Sequence, residues 1–121
     1  MTNTMTQEAC VLDLEALKSR CLGNLDLVGR VLKKFTAQLD NDLAELVRAL
    51  LDSDAQAFAL VAHRIKGMSA NVEARELSQY AAAAEQYALR QAVEEFPSCL
   101  AQMQQERARI AQSLLNVKIV A

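Results

Sequence analysis

Glycine, proline and aromatic residues are scarce in this sequence. Its 121 residues include 3 glycines and 1 proline, and 4% are aromatic although 52% are hydrophobic. Few residues can therefore interrupt a helix, and the core must be aliphatic, built largely from leucine and alanine. A chain of this length can form one domain and bury a core without metals or disulfides. The composition favours an all-α protein.

Several classes of function lack the residues that they require. The net charge is −2 and no run of Lys or Arg occurs, which argues against nucleic-acid binding. No apolar run reaches the roughly 18 residues of a membrane span, and residues 1–7 lack the basic-then-apolar order of a signal peptide. Cys10, Cys21 and Cys99 show neither metal-ligand spacing nor a paired framework. We therefore expect a cytoplasmic protein with reduced thiols that binds neither membrane nor metal.

The sequence also lacks the residue patterns of common enzyme active sites. The sequence has a single histidine, no glycine-rich phosphate loop and no Ser/His/Asp constellation. A histidine kinase would need an ATP-binding domain, for which 121 residues leave no room. The sequence therefore predicts no self-sufficient enzyme.

Apolar periodicity predicts a short first helix and a long second one. Asp13 is placed to cap the first helix, and Gly23 stands where its C-terminal cap belongs. The second helix is predicted from about residue 25 to residue 51, because apolar residues recur there at three- and four-residue steps. That seam consists of Val28, Leu32, Phe35, Leu39, Leu43, Leu46 and Leu50.

Three further helices complete the predicted fold. Ser53 and Gln56 have the spacing of a capping box, and the third helix should end near residues 70–72. The fourth helix should begin at Glu73 or Ala74, and the last helix carries Pro97 near its start. The inner stripe of the fourth helix is Leu77, Tyr80, Ala81, Ala84 and Ala88.

These helices predict an antiparallel four-helix bundle with a short additional N-terminal helix. Residues 1–9 are expected to form a flexible tail, and residues 10–121 a single bundle domain. Closed bundles of this kind are commonly monomeric, and we expect a monomer.

His63 lies on the third helix, opposite the face that Phe58 and its apolar neighbours bury. Its expected neighbours on the exposed strip are small residues and one cation: Ala59, Lys66, Gly67 and Ala70. Glycine within a helix costs roughly 1 kcal/mol relative to alanine, so Gly67 indicates a surface that another molecule approaches closely. Imidazole is a nitrogen nucleophile near pH 7, and Lys66 can offset the charge of a phosphoryl group. A lone surface histidine usually has no such role, but this spacing favours one.

Residues 62–77 read Ala-His-Arg-Ile-Lys-Gly-Met-Ser-Ala-Asn-Val-Glu-Ala-Arg-Glu-Leu. On an exposed helix of a four-helix bundle, this segment resembles the motif of histidine-containing phosphotransfer (HPt) domains of two-component phosphorelays. The resemblance implies a stoichiometric phosphocarrier rather than an enzyme. His63 would accept a phosphoryl group through Nε2 from a receiver-domain aspartate and pass it to another receiver. Lys66 would help to neutralise the phosphoryl oxygens, and Gly67 would give the receiver room.

The resemblance also implies the partners and a further site residue. The partners are response-regulator receiver domains, among which that of a hybrid sensor histidine kinase is a candidate. The receiver brings Mg²⁺, so this chain needs no cofactor of its own. Family members often place a carboxylate or amide on the following helix against the other histidine nitrogen. Glu85 is the candidate for this contact and Gln86 the alternative. Glu85 as an ordinary solvated residue without a role at the site is an equally open interpretation. Arg64 is suited to docking on an acidic receiver face, but an ordinary surface arginine is favoured.

One position departs from the family pattern. Family members usually carry glycine where this chain has Glu73. Glutamate disfavours a positive φ, so we expect the turn to take another shape or Asn71 to adopt the positive φ instead.

A rival function from another class is a helical binding module that sequesters or inhibits a receiver or kinase without carrying phosphate. Loss of the histidine would favour that rival. This chain keeps both His63 and Lys66, which favours the carrier.

Overall fold

A computed structural model describes residues 11–117. Its five α-helices from Leu14 onward are α1 (Leu14–Arg20), α2 (Leu25–Leu51), α3 (Ala55–Asn71), α4 (Arg75–Leu89) and α5 (Phe96–Val117). A 3₁₀ turn at Val93–Glu95 precedes α5, and residues 11–117 contain no β-strand. The predicted helical bundle is confirmed. None of the helices in this range is long and apolar enough to cross a membrane. The predicted tail, residues 1–9, and Cys10 lie outside the described residues.

The aliphatic seam of α2 forms one wall of the core. Its predicted members are buried except Leu50, which is half-buried. Phe58 of α3 stacks on Phe96 at the start of α5, with ring centroids 4.0 Å apart. Burial of each such Leu, Val or Phe side chain contributes roughly 1.5–3 kcal/mol, so the seam and the ring pair hold α2, α3 and α5 together.

The closest helix pair is α3 and α4, which share the most extensive contact in the described chain. Their interface is lined by small residues: Ala59, Ala62, Ala81, Ala84 and Ala88 are all buried. Short side chains let the two backbones approach closely. The expectation that Ala59 lies on the exposed strip beside His63 was therefore wrong, because Ala59 is buried.

The predicted capping box of α3 was also wrong. Asp54, not Ser53, caps the helix, and its Oδ1 accepts a hydrogen bond from the Ala57 N–H at 3.0 Å. Ser53 belongs instead to the C-terminal turn of α2. Ser53 and Asp54 are both favourable N-cap residues, so the spacing of residues alone cannot decide which of the two caps the helix.

Four helices end in the same backbone turn, whose first left-handed residue is not glycine; at the end of α1, Gly23 follows Leu22 and also has a positive φ, of 78°. The first left-handed residues are Leu22, Ser53, Glu73 and Gln91, with φ of 56°, 51°, 65° and 58°. At the end of α3 the Glu73 N–H donates to Ala70 O at 3.1 Å, and the Ala74 N–H donates to Ser69 O at 2.8 Å. This pair of bonds is a Schellman motif. A left-handed conformation costs a non-glycine residue roughly 1–2 kcal/mol, so these four turns are strained.

Glu73 adopts the positive φ itself, so the expectation of another turn shape, or of a shift to Asn71, was wrong. The side chain of Glu73 is held by Arg20 Nε at 2.7 Å and by Arg75 Nη2 at 3.3 Å. Its carbonyl oxygen accepts a hydrogen bond from the Asp13 N–H at 3.1 Å. These contacts offset the backbone strain and pin α1 onto the turn between α3 and α4.

Glycine at an exposed left-handed position should stabilise the protein. We expect Leu22→Gly and Gln91→Gly each to raise the free energy of unfolding by about 1 kcal/mol, because glycine adopts a positive φ without steric cost. Urea unfolding followed by circular dichroism measures the change. The matched control is Ala101→Gly at an exposed helical position of α5, which should lower the stability by about 1 kcal/mol. A loss of stability in both turn variants would contradict the left-handed assignment.

Candidate functional site

His63 projects from the middle of α3 into solvent. The helix buries Phe58, Ala62 and Ile65 on the side that faces the core, and the His63 side chain on the other side is 63% exposed. One turn further along, Gly67 is exposed, and a Cβ built there would meet no atom within 4 Å. The imidazole therefore stands beside an open surface without a side chain at Gly67.

Glu85 of α4 contacts both of the residues that the motif singles out on α3. Its Oε2 lies 2.9 Å from His63 Nδ1, and its Oε1 accepts a hydrogen bond from Lys66 Nζ at 2.9 Å. The Glu85 side chain is mostly buried, whereas Gln86 is exposed. The structure thus brings His63, Lys66 and Glu85 together, with one carboxylate shared between a ring nitrogen and an ammonium group.

The charge of Glu85 determines the tautomer of His63. The hydrogen bond from Lys66 lowers the pKa of Glu85, partial burial opposes it, and the hydrogen bond from His63 lowers the pKa further. The net shift is downward, so this carboxyl is ionised at neutral pH and can only accept hydrogen bonds. The neutral imidazole must then carry its proton on Nδ1, which leaves the Nε2 lone pair available to solvent.

The position of Glu85 relative to His63 depends on the register of α4 against α3. Ser78 Oγ donates a hydrogen bond to Lys66 O at 3.0 Å. Ser78 lies seven residues, or about two turns, before Glu85 on the same side of α4. This hydrogen bond and the buried alanines fix the sliding and separation of the two helices. Ser78 was not predicted as a site residue, although its seven-residue spacing from Glu85 places it on the same side of α4.

Arg64 points to the opposite side of His63, toward α2. Its Nη2 and Nε lie 2.7 Å and 3.2 Å from Asp42 Oδ1, and Nη2 also lies 3.0 Å from Glu45 Oε1. The hydrogen bond to Asp42 is the largest cause that raises the pKa of Arg64. Asp42 is fully buried beside the apolar seam of α2, and a charged residue next to such a seam is a signal that the sequence carries.

Other chemically reactive groups lie away from this site. Cys21 and Cys99 are buried as thiols, and burial raises the pKa of Cys99. Among residues 11–117, no group of three or more His, Cys, Asp or Glu side chains is placed to hold a metal ion.

Comparison with known proteins places this geometry in context. The model of the Hpt domain family matches residues 30–113. A matching solved structure is the crystal structure of histidine-containing phosphotransfer protein B (HptB) from Pseudomonas aeruginosa PAO1. It is 31% identical in sequence, with a TM-score of 0.80, and the match covers 89% of this chain and 93% of that chain. No curated protein matches the sequence.

Removal of Glu85 should change the tautomer of His63. We expect ¹⁵N NMR of the wild type at neutral to alkaline pH to show the Nδ1–H form, and Glu85→Ala to shift the ring toward the Nε2–H form. The single histidine in the sequence makes the imidazole signals unambiguous. Gln86→Ala is the matched control on the same helix and should leave the spectrum unchanged. An unchanged tautomer in Glu85→Ala would show that the carboxylate does not set it.

Proposed function

Because this chain belongs to the Hpt domain family, we propose that His63 carries a phosphoryl group between the receiver domains of a phosphorelay. Membership of the family makes the chain a phosphotransfer protein of two-component signalling. The contact of Glu85 with His63 Nδ1 at 2.9 Å is the observation that supports His63 as the acceptor. It leaves Nε2 as an exposed nucleophile with its lone pair directed to solvent.

Transfer onto the chain is a displacement at phosphorus. The Nε2 lone pair attacks the phosphorus of a receiver's aspartyl phosphate, the N–P bond forms, and the P–O bond breaks to release the aspartate carboxylate. The ring gains positive charge and keeps its proton on Nδ1, where the Glu85 carboxylate stabilises it. Onward transfer reverses these steps, as an aspartate oxygen attacks and the neutral imidazole leaves. Neither direction requires a proton to enter or leave the ring.

Lys66 has a more specific task than charge neutralisation alone. Its ammonium group donates to Glu85 Oε1 at 2.9 Å, so it is already paired before any phosphoryl group arrives. A phosphoryl group on Nε2 carries about two negative charges and competes with Glu85 for this cation. We infer that Lys66 turns from Glu85 to a phosphoryl oxygen, while Glu85 keeps its hydrogen bond with Nδ1–H.

Most of the groups that catalyse the transfer are expected on the receiver domain. Phosphoryl transfer depends on in-line positioning and on stabilisation of charge at the equatorial oxygens. We propose that the receiver domain holds the Mg²⁺ and supplies most of those groups. This chain then contributes an oriented nucleophile, one mobile cation and an open surface at Gly67, and acts as a stoichiometric carrier.

His63→Gln should abolish phosphorylation. We expect label from a panel of phosphorylated receiver domains to appear on the wild type in an acid-labile, alkali-stable form, and the variant to take none. Calorimetry with each receiver should show that the variant still binds. Receivers that bind both forms equally while neither takes label would contradict the carrier function and support the rival binding module.

Substitution of Gly67 tests whether this glycine serves receiver docking or only the structure of α3. We expect Gly67→Ala to raise the free energy of unfolding by about 1 kcal/mol, since the added methyl meets nothing within 4 Å. The same change should slow transfer, because the methyl occupies the surface that the receiver approaches. Gly67→Leu should slow transfer further, by roughly tenfold or more. Unfolding and transfer are measured on the same samples, and unchanged transfer in both variants would show that this surface is not used.

A further inference from the structure

A buried carboxylate on α2 holds the arginine that follows His63. Asp42 is fully buried, and its Oδ1 accepts hydrogen bonds from Arg64 Nη2, Arg64 Nε and Gln38 Nε2 at 2.7, 3.2 and 3.0 Å. The second carboxylate oxygen, Oδ2, is buried and has no hydrogen-bond partner among the described residues. All the hydrogen bonds of the Asp42 carboxylate are therefore accepted by one oxygen, and two of the three come from Arg64.

Stability alone does not account for this pair. A buried ion pair often gains little over apolar residues of similar volume, because desolvation of the charges offsets their attraction. The orphaned Oδ2 adds a further cost. By comparison, Asp40, two residues earlier, pairs with Arg107 Nε at 2.7 Å with its own side chain 57% exposed. Helix α2 thus has a surface ion pair facing α5 and, facing α3 beside the site, a pair whose carboxylate is buried and whose arginine reaches solvent.

The held guanidinium remains partly available to solvent. Arg64 is 43% exposed although Asp42 and Glu45 bind its Nε and Nη2. Within residues 11–117, the hydrogen bonds of Arg64 use Nε and Nη2, and the two N–H donors of Nη1 have no partner. Arg64 leans toward α2 and Lys66 toward α4, so the two cations flank His63 on opposite sides. Lys66 pairs with one carboxylate, that of Glu85, whereas Arg64 pairs with two, those of Asp42 and Glu45.

We propose that Asp42 is a positioning residue, which holds Arg64 as a fixed docking cation for a carboxylate on the incoming receiver domain. This inference rests on the proposed function. A domain that binds Mg²⁺ at its phosphoryl site does so through carboxylate oxygens, so the face that meets His63 is acidic. An arginine that is already oriented loses less conformational entropy when it binds such a group. Arg64 therefore acts on the binding of the receiver rather than on the chemical step.

The test measures docking and chemistry separately. Asp42→Asn and Asp42→Leu keep Arg64 and its contact with Glu45 but remove its buried anchor, and Asp40→Asn on the same helix is the matched control. We expect both Asp42 variants to raise the KM for the phosphorylated receiver, and the Kd for the unphosphorylated receiver with Mg²⁺, by roughly threefold to tenfold. The transfer rate constant at saturating receiver should stay unchanged, and the salt dependence of Kd should weaken. Asp40→Asn should match the wild type in all of these.

A second variant guards against a folding artefact. In Asp42→Leu/Arg64→Met both charges are removed together, which a bundle core tolerates, and its KM should rise by at least as much as in Asp42→Leu. An unchanged KM and Kd in the Asp42 variants, with only a shift in Tm, would show that Asp42 is purely structural and overturn the inference. A wild type that takes no label would instead overturn the proposed function, and the Kd series would still decide whether Arg64 docks a partner.

Discussion

The site depends on one carboxylate shared between two groups of the neighbouring helix. Glu85 binds His63 Nδ1 and Lys66 Nζ, each at 2.9 Å, and through the first contact it selects the tautomer that exposes Nε2. Glu85 belongs to α4 and both of its partners belong to α3. Its contacts with His63 and Lys66 therefore depend on the separation and register of these two helices. Buried alanines set their separation, and the hydrogen bond from Ser78 sets their register. The imidazole of His63 is therefore oriented by the packed pair of α3 and α4 rather than by α3 alone.

Ion pairs add contacts of fixed geometry to a bundle whose apolar core contacts have no preferred direction. Apolar burial stabilises many rotations and shifts of one leucine-rich helix against another. Arginine–carboxylate pairs discriminate among them, since each requires one geometry. In the described chain such pairs join different elements of the bundle: Arg20–Glu73, Arg64–Asp42, Arg107–Asp40 and Arg109–Glu76. The first of these also offsets the strain of a left-handed glutamate, and the second lies beside the phosphoacceptor candidate.

Sequence reasoning succeeded where the physical signal is local or periodic. The bounds of α2 agree with its apolar repeat, and His63 with Gly67 marked the exposed strip of α3. The failures involve partners that are distant in sequence. The strain at Glu73 is offset by Arg20, 53 residues earlier, and Ala59 is buried by the packing of the bundle rather than exposed beside His63. Glu85 entered only through the family resemblance, because no periodicity reveals which residue of one helix meets which residue of the next; its role in transfer stays a prediction.

The central claim is that Glu85 holds the proton on Nδ1 so that Nε2 carries the phosphoryl group. The most direct measurement is ³¹P and ¹⁵N NMR of the uniformly ¹⁵N-labelled chain after phosphorylation by a receiver domain. We expect a one-bond coupling between phosphorus and Nε2 of His63, with a proton retained on Nδ1. Phosphorus bonded to Nδ1, or to any residue other than His63, would contradict it.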